Sequence, residues 1–388
     1  MTLAATPPPV VANEATTAVD VVPKLERVVS VDALRGFDMF WILGAEEIVK
    51  NLARAFPNRV TAFLANQFEH VEWAGFRFYD LIFPLFVFIV GTSLVFSLGK
   101  LIRTRGRPAA VRRVVVRGIV LYLLGLLYYG GLSKHFYDVR LMGVLQRIAL
   151  AYLFTGLLFC YLPPRALVVV TAVLLLGYWA LLSFVPVPGV GHASFVEGQN
   201  WPNWFDAHYL PGFKWDGDHD PEGVLSTFPA VATCLLGVFA GLLLKDATVD
   251  PMRKVTTLVG AGVAAVVAGY LWGLQFPVIK KLWTSSFVLV AAGYGALLLA
   301  LFYYVIDVSG HRRWCQPFVW IGMNAIMLYL IERLVDLPAL SARLIGAPNG
   351  DLQTALGRLG PLLASIVTVG IVLLIARFLY KRQIFLRV

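Results

Sequence analysis

Charged side chains are scarce in this chain. Asp, Glu, Lys and Arg make up 14% of its 388 residues, whereas an ordinary soluble domain carries about 25%; 59% of the residues are hydrophobic and the mean hydropathy is +0.74. So few polar groups cannot cover a water-facing surface, which excludes a cytoplasmic enzyme of the usual kind. Cysteine is also sparse. Cys160, Cys234 and Cys315 have neither metal-ligand spacing nor the even number of a disulfide framework, and each lies in or beside an apolar run. They read as small packing residues. A glycine-rich phosphate loop is missing, since the Gly106-Arg107-Pro108 turn has the wrong surroundings for a Walker motif, and ATP-driven chemistry is unsupported. Residues 1–29, rich in Ala, Val, Thr and Pro, lack an apolar stretch long enough for a signal peptide and read as a flexible cytoplasmic tail. No repeated period establishes a transporter-type inverted repeat.

Long apolar segments recur instead from residue 36 to residue 379, arguing for one membrane-embedded body over residues 30–388. They centre on 30–49, 81–98, 114–129, 141–161, 167–184, 224–244, 255–274, 285–306, 318–334 and 359–379. Backbone groups in lipid must be satisfied within the segment, and these runs are too long and too continuously apolar for barrel strands. The predicted fold is therefore an all-α polytopic bundle of about ten spans. The net charge of +10 could suggest nucleic acid, but basic clusters alternate with apolar segments and form no single patch, so no nucleic-acid partner is expected. With both termini cytoplasmic, the dense run from Lys100 to Arg117 falls on the inner side, as the positive-inside rule requires. Membrane lipid is a partner by construction, and anionic lipid is one possible contact of that run.

Two outer connections are long, 50–79 and 185–223. The second mixes Trp201, Trp204 and Trp215 with Asp206, Asp216, Asp218, Asp220 and Glu222, content that suits a carbohydrate, with an interfacial aromatic belt and solvated acids as the alternative. Its run from Asp216 to Gly223 superficially suggests a calcium loop. An EF-hand needs Gly at position six and Glu at twelve, where this chain has Pro221 and Thr227, so no metal is expected.

His70 stands ten residues before Asp80, which opens the second span. A neutral imidazole accepts a proton near neutral pH, and a carboxylate can fix its tautomer; Asp80 could do this or cap the helix. Asp32, Arg35 and Asp38 are spaced to pair along one helix. Glu46, Glu47, Gln146, Arg147, Asn324 and Glu332 add polar groups inside apolar segments, where ionisable residues face a cavity or the bundle interior.

The blocks Ser30-Val31-Asp32-Ala33-Leu34-Arg35-Gly36, His70-Val71-Glu72-Trp73 followed by Asp80-Leu81-Ile82-Phe83-Pro84, Gly143-Val144-Leu145-Gln146-Arg147 and Asp220-Pro221-Glu222-Gly223 occur in this order. Phe276-Pro277-Val278 with Lys280, Leu282 and Trp283, then Gly322-Met323-Asn324, follow. Over roughly residues 29–335 the chain resembles the heparan-alpha-glucosaminide N-acetyltransferase family of multi-span membrane acyltransferases. The resemblance implies a cytosolic acetyl-CoA donor, an extracytoplasmic sugar-amine acceptor and acetyl transfer through a cavity in the membrane. It places the catalytic histidine on His70 and its aspartate on Asp80. Arg35, Arg103, Arg107, Arg112, Arg113 and Arg147 are then candidates to hold CoA. Asp32, Glu72, Trp73, Gln146, Trp215, Asp220, Glu222, Lys280 and Asn324 are candidates to line the acceptor site or cavity. Direct attack by the amine and a ping-pong path through acetyl-histidine both stay open, as does O-acetylation of a cell-envelope glycan. A secondary transporter is the competing class. A homodimer is compatible with the resemblance, and the expected location is a bacterial cytoplasmic membrane. The Glu46-Glu47 pair departs from the lysosomal relative.

Overall fold

The structure is a computed structural model and describes residues 28–131, 135–345 and 356–386. The expected tail over 1–29 lies outside these residues except for Val28 and Val29, and Val29 already opens the first helix. Lys24, Arg27, Lys134 and Arg387 also fall outside.

The described chain is helical, with a single isolated bridge between Ala74 and Ile279. Among the described residues, seven helices are long and apolar enough to cross a membrane, or up to eight if the bent pair Gln316–Met323 and Ala325–Leu334 is one span. Helix α1 (Val29–Phe40) runs into a π-helical stretch, Trp41–Ala45, where Gly44 takes φ 105°, and continues as α2 (Glu46–Ala55). The first apolar segment thus extends past its predicted end near Val49 and is broken in the middle. Nor is the 50–79 connection wholly irregular: α3 (Arg59–Gln67) forms behind Asn58, whose side chain accepts from the backbone amides of Val60 and Thr61.

Helix α4 (Phe78–Tyr128) contains 51 residues, and a straight helix of that length would measure about 76 Å, more than twice a bilayer core. It is not straight. Gly106, at φ 81° and followed by Pro108, interrupts it, and the chain folds back. Leu98 and Ala110 consequently pack in one cluster with Cys160, while Asp80 and Tyr128, near the two ends, line the same cavity. The turn that failed as a phosphate loop is the hairpin corner joining two predicted spans.

Helices α5 (Val144–Tyr161), α6 (Pro164–Phe184) and α7 (Trp201–Tyr209) follow; α7 is a short helix inside the long 185–223 connection. Next come α8 (Thr227–Lys245), α9 (Pro251–Gly273), α10 (Ser285–Phe302), α11 (Gln316–Met323), α12 (Ala325–Leu334), α13 (Leu337–Leu344) and the last helix, Leu359–Lys381. The apolar window of α8 is 72% buried and that of α9 only 17%, so α8 sits at the centre and α9 turns most of its apolar surface outward. An apolar exterior around a packed interior is the arrangement lipid favours. The chain is a multi-pass integral membrane protein.

Small residues set the closest helix approaches. A Cβ at Gly36 of α1 would lie 1.7 Å from the Phe318 carbonyl oxygen of α11, and one at Gly322 would lie 2.0 Å from that of Asp32. This crossing carries α1, with Asp32, Arg35 and Asp38, against the broken α11–α12 helix, which bends by 76° at Asn324. Gly36→Ala should destabilise the protein by about 1–3 kcal/mol or more through overpacking. Gly177→Ala on α6, where nothing lies within 4 Å of the added methyl, should be neutral or slightly stabilising. Thermal unfolding of the two variants in one detergent checks this contrast; equal midpoints would contradict it.

Candidate active site

His70 lies on the short connection between α3 and α4, and the start of α4 organises it. Asp80, in the first turn, accepts from the Arg77 amide at 3.2 Å and the Val71 amide at 3.3 Å through Oδ2, and its Oδ1 is 2.8 Å from His70 Nδ1. One buried carboxylate therefore caps the helix, fixes the loop and holds the imidazole. Capping and histidine pairing were alternatives in sequence; here they coexist. Arg77 donates through its guanidinium to the His70 carbonyl at 3.0 Å.

Lys280 arrives from the 274–284 connection, 210 residues away. Its Nζ is 3.4 Å from Asp80 Oδ1 and 3.0 Å from His70 Nδ1. Loss of water holds the Lys280 ammonium below the ordinary lysine range, against the attraction of Asp80 and Glu222. When Nδ1–H donates to Asp80, Nε2 keeps its lone pair; when Lys280 donates to Nδ1, Nε2 carries the proton. The ring also packs on Tyr79, 4.9 Å between centroids, and Tyr79 donates to Glu46 of α2.

Opposite stands a second ionic group. Arg140 donates to both Asp220 oxygens, at 2.7 and 2.8 Å, and to Glu222 at 2.5 Å, while its guanidinium lies between the rings of Tyr129 and Trp215 at 4.7 and 5.0 Å. Burial alone would lower the Arg140 pKa, but the two carboxylates hold it above the ordinary arginine range. Burial raises that of Glu222 despite Arg147 and Arg140. Arg147 is fully buried, donates to Ser226 and the Gly223 carbonyl, and lies under Trp283, 4.8 Å from the ring centroid. Asp206 of α7 completes this floor by accepting from the Val224 and Asp220 amides at 3.1 and 3.4 Å.

The two groups face each other across a cavity of about 560 Å³, whose walls include His70, Trp73, Arg140, Trp215, Glu222 and Lys280. His70, Glu222 and Lys280 also line a second cavity of about 210 Å³, otherwise largely apolar, with Ile82, Phe83 and Phe86 among its walls. This chamber shares Phe86, Leu145, Ile148, Ala325 and Ile326 with a third, of about 230 Å³, at the far end of the bundle. Arg35, Arg117, Ser93, Tyr152 and Asn324 line the third. Arg35 is salt-bridged to Asp32 at 2.5 Å, whereas both Asp38 oxygens are buried without a hydrogen bond, so the alternative Arg35–Asp38 pair does not form.

The remaining sequence candidates separate. Arg103 and Arg107 line a different groove of about 430 Å³ with Lys245, and Arg112 and Arg113 are exposed on none of these cavities. Arg147 sits at the Ser226 end of the bundle, away from the basic run with which it was grouped. Gln146 is buried and donates to the Arg140 carbonyl at 3.3 Å, bracing that loop, and Glu72 is exposed beside the site. Sequence reasoning missed Arg140, Arg117 and Tyr79. Two acids at 220 and 222 in one loop call for a counter-ion, which was the available signal for Arg140. Glu197, Asp216 and His219 also gather at the cavity rim, a group that spacing alone did not suggest.

An all-α, membrane-embedded bundle with a histidine–carboxylate pair where two internal cavities meet is a polytopic membrane protein built around an internal polar site. Residues 27–270 match the family described as heparan-alpha-glucosaminide N-acetyltransferase, catalytic, and the chain belongs to that family. It is 27% identical to heparan-alpha-glucosaminide N-acetyltransferase of Mus musculus over 389 aligned residues, covering 83% of this chain and 56% of the relative. The Homo sapiens protein of the same name gives 27% over 387, with the same coverage. The chain spans about half the length of these curated relatives.

Burial pushes the Asp206 carboxyl up to about 6, against the pull of the Val224 and Asp220 amides. A carboxyl raised in the folded state contributes stability below its unfolded value near 4, and that contribution is lost as pH rises through about 6. The melting temperature of wild type minus that of Asp206→Asn should therefore fall between pH 4 and 7. A difference independent of pH would refute the assignment.

Proposed function

We propose that this protein is an acetyl-CoA-dependent membrane N-acetyltransferase that moves acetyl from a cytoplasmic donor to an amino group on an extracytoplasmic sugar or glycan, with His70 at the meeting point. The observation that carries the reading is the row of three adjoining cavities, with His70 lining the two nearest its own end. Family membership supplies the reaction class, since the relatives are named for N-acetyl transfer to a glucosaminide.

In this reading the polypeptide crosses the membrane ten times. The two arms of α4 count separately, and α1 to α2 forms one broken crossing. Both termini are then cytoplasmic and the His70 cavity opens on the opposite side. Arg35 and Arg117 flank the donor's entry, and the apolar middle chamber takes the neutral pantetheine arm. Arg103, Arg107, Arg112 and Arg113 attract the anionic donor from outside that chamber.

The acceptor stacks on Trp73 or Trp215 in the outer cavity, beside Glu222. His70, with Nδ1–H held by Asp80, takes the proton from the attacking amine on Nε2 as nitrogen bonds to the thioester carbon, then gives it to the departing CoA sulfur. The Lys280 ammonium and the paired Arg140 stabilise negative charge developing on the carbonyl oxygen. The same ring could instead carry acetyl itself, but the direct path needs no covalent intermediate and uses the second cavity only as a conduit. O-acetylation of a cell-envelope glycan is the second reading of the acceptor.

Vesicles holding purified protein of known orientation, with labelled acetyl-CoA on the Arg117 side and amino sugars on the other, test the proposal. Label should appear on the amine. His70→Ala should reduce transfer roughly 10²- to 10⁴-fold, and Asp80→Asn should slow it while the protein stays assembled. Undiminished turnover by His70→Ala would remove His70 from the chemistry. Passage of unmodified sugar without label would favour a transporter.

A further inference from the structure

We propose that the rim of the outer cavity holds a divalent cation site for zinc, formed by Glu197, Asp216 and His219, at which the Lys281 ammonium is the competing occupant. One oxygen of each carboxylate and His219 Nε2 all lie within 4.8 Å of one another. His219 is 4% exposed, and its Nε2 has no hydrogen-bond partner; it faces Glu197 Oε1 at 3.7 Å and Asp216 Oδ2 at 3.8 Å. A buried imidazole nitrogen aimed between two carboxylate oxygens at those distances is placed to pair with both when protonated and to share a cation with them when neutral.

The spacing suits coordination. Ligand atoms around tetrahedral zinc, with bonds of about 2.0–2.1 Å, lie roughly 3.3 Å apart, so the 3.7 and 3.8 Å separations between the imidazole and the two carboxylates would each shorten on binding while the flexible Glu197 side chain closes the third edge. His219 Nδ1 is 2.6 Å from Asp218 Oδ1. A carboxylate behind the ring fixes the tautomer that leaves Nε2 free for a metal and raises its basicity, as in many histidine sites. One imidazole and two carboxylates leave a fourth position for water, a donor set that zinc accepts.

Lys281 now supplies the positive charge, with Nζ 2.7 Å from Glu197 Oε1 and 2.9 Å from Asp216 Oδ2. Neither oxygen can serve the ammonium and a metal equally well. The lysine is flexible, about a third exposed, and already 5.9 Å from the face of Trp73, to which it can retreat. A metal would therefore tie the Glu197 loop to the Asp216 loop beside Trp215 and turn Lys281 toward the acceptor cavity. The site is independent of the acyl-transfer reading, because Glu197, Asp216 and His219 are none of the groups that carry that chemistry.

Protein in lipid nanodiscs, stripped with chelator, should bind about one zinc ion per chain in equilibrium dialysis. Cobalt in its place should give the absorption of a low-coordinate nitrogen–oxygen site. His219→Ala should abolish binding. Asp218→Asn, which keeps all three ligands, should weaken it roughly 10- to 100-fold. Lys281→Met should tighten it, because the competing charge is gone. Melting curves without metal identify any variant that fails to assemble. If neither wild type nor Lys281→Met binds more zinc than His219→Ala, Lys281 is the permanent cation of the cluster and the proposal is wrong. Binding unaffected by Asp218→Asn would overturn it as well.

Discussion

The Asp80 carboxylate is the point on which the polar interior depends. In a bundle with so little charge, a buried anion must find donors close at hand, and Asp80 finds four partners: two backbone amides, an imidazole and an ammonium. Each ties a different part of the chain to the start of α4. The amides fix the turn, His70 fixes the loop from α3, and Lys280 fixes the connection between α9 and α10. Removing one partner from a buried charged group leaves the others in a poorly screened site and destabilises strongly. In the proposed mechanism, fold and chemistry therefore share one residue, and a variant there must be read with both in view.

The second ionic group follows the same rule with the signs reversed. Arg140 is the buried charge, and Asp220, Glu222, Tyr129 and Trp215 surround it. Bidentate pairing and two aromatic faces suit guanidinium better than ammonium, so lysine at this position would satisfy the charge without the planar fit. The facing positions of the two groups across one cavity give the site an oppositely organised pair of walls.

Much of this was legible in the sequence because it is local. Apolar runs located most of the crossing helices, and ten residues between His70 and Asp80 are few enough that a turn into a helix brings them together. Long-range partners were less legible. Lys280 was singled out only through family resemblance, and Arg140 not at all, since nothing in its neighbourhood sets it apart from a loop cation. Arg117 was absorbed into a basic run whose topological role is sufficient by itself, yet the hairpin at Gly106 turns it inward to a cavity while Arg112 and Arg113 stay outside. Arg147 shows the opposite failure: its charge was legible, but its place in the first turn of α5 put it beside Ser226, at the other end of the bundle from the basic run with which it was grouped. Hydropathy was also blind to the breaks at Gly44 and Asn324, because a kinked helix and a straight one have the same composition.

If the row of cavities is the proposed path for the donor, its narrow middle chamber has a further consequence for the cell. A conduit joining the two faces of a membrane threatens the ion gradients stored across it. Here the stretch between His70 and the Arg117 end is walled largely by Phe86, Leu145, Ile148 and Ile326, which offer nothing to replace the hydration shell of a passing sodium ion or proton. On the proposed reading a flexible uncharged arm can slide through such a constriction, whereas a bare ion meets walls with nothing to replace its water.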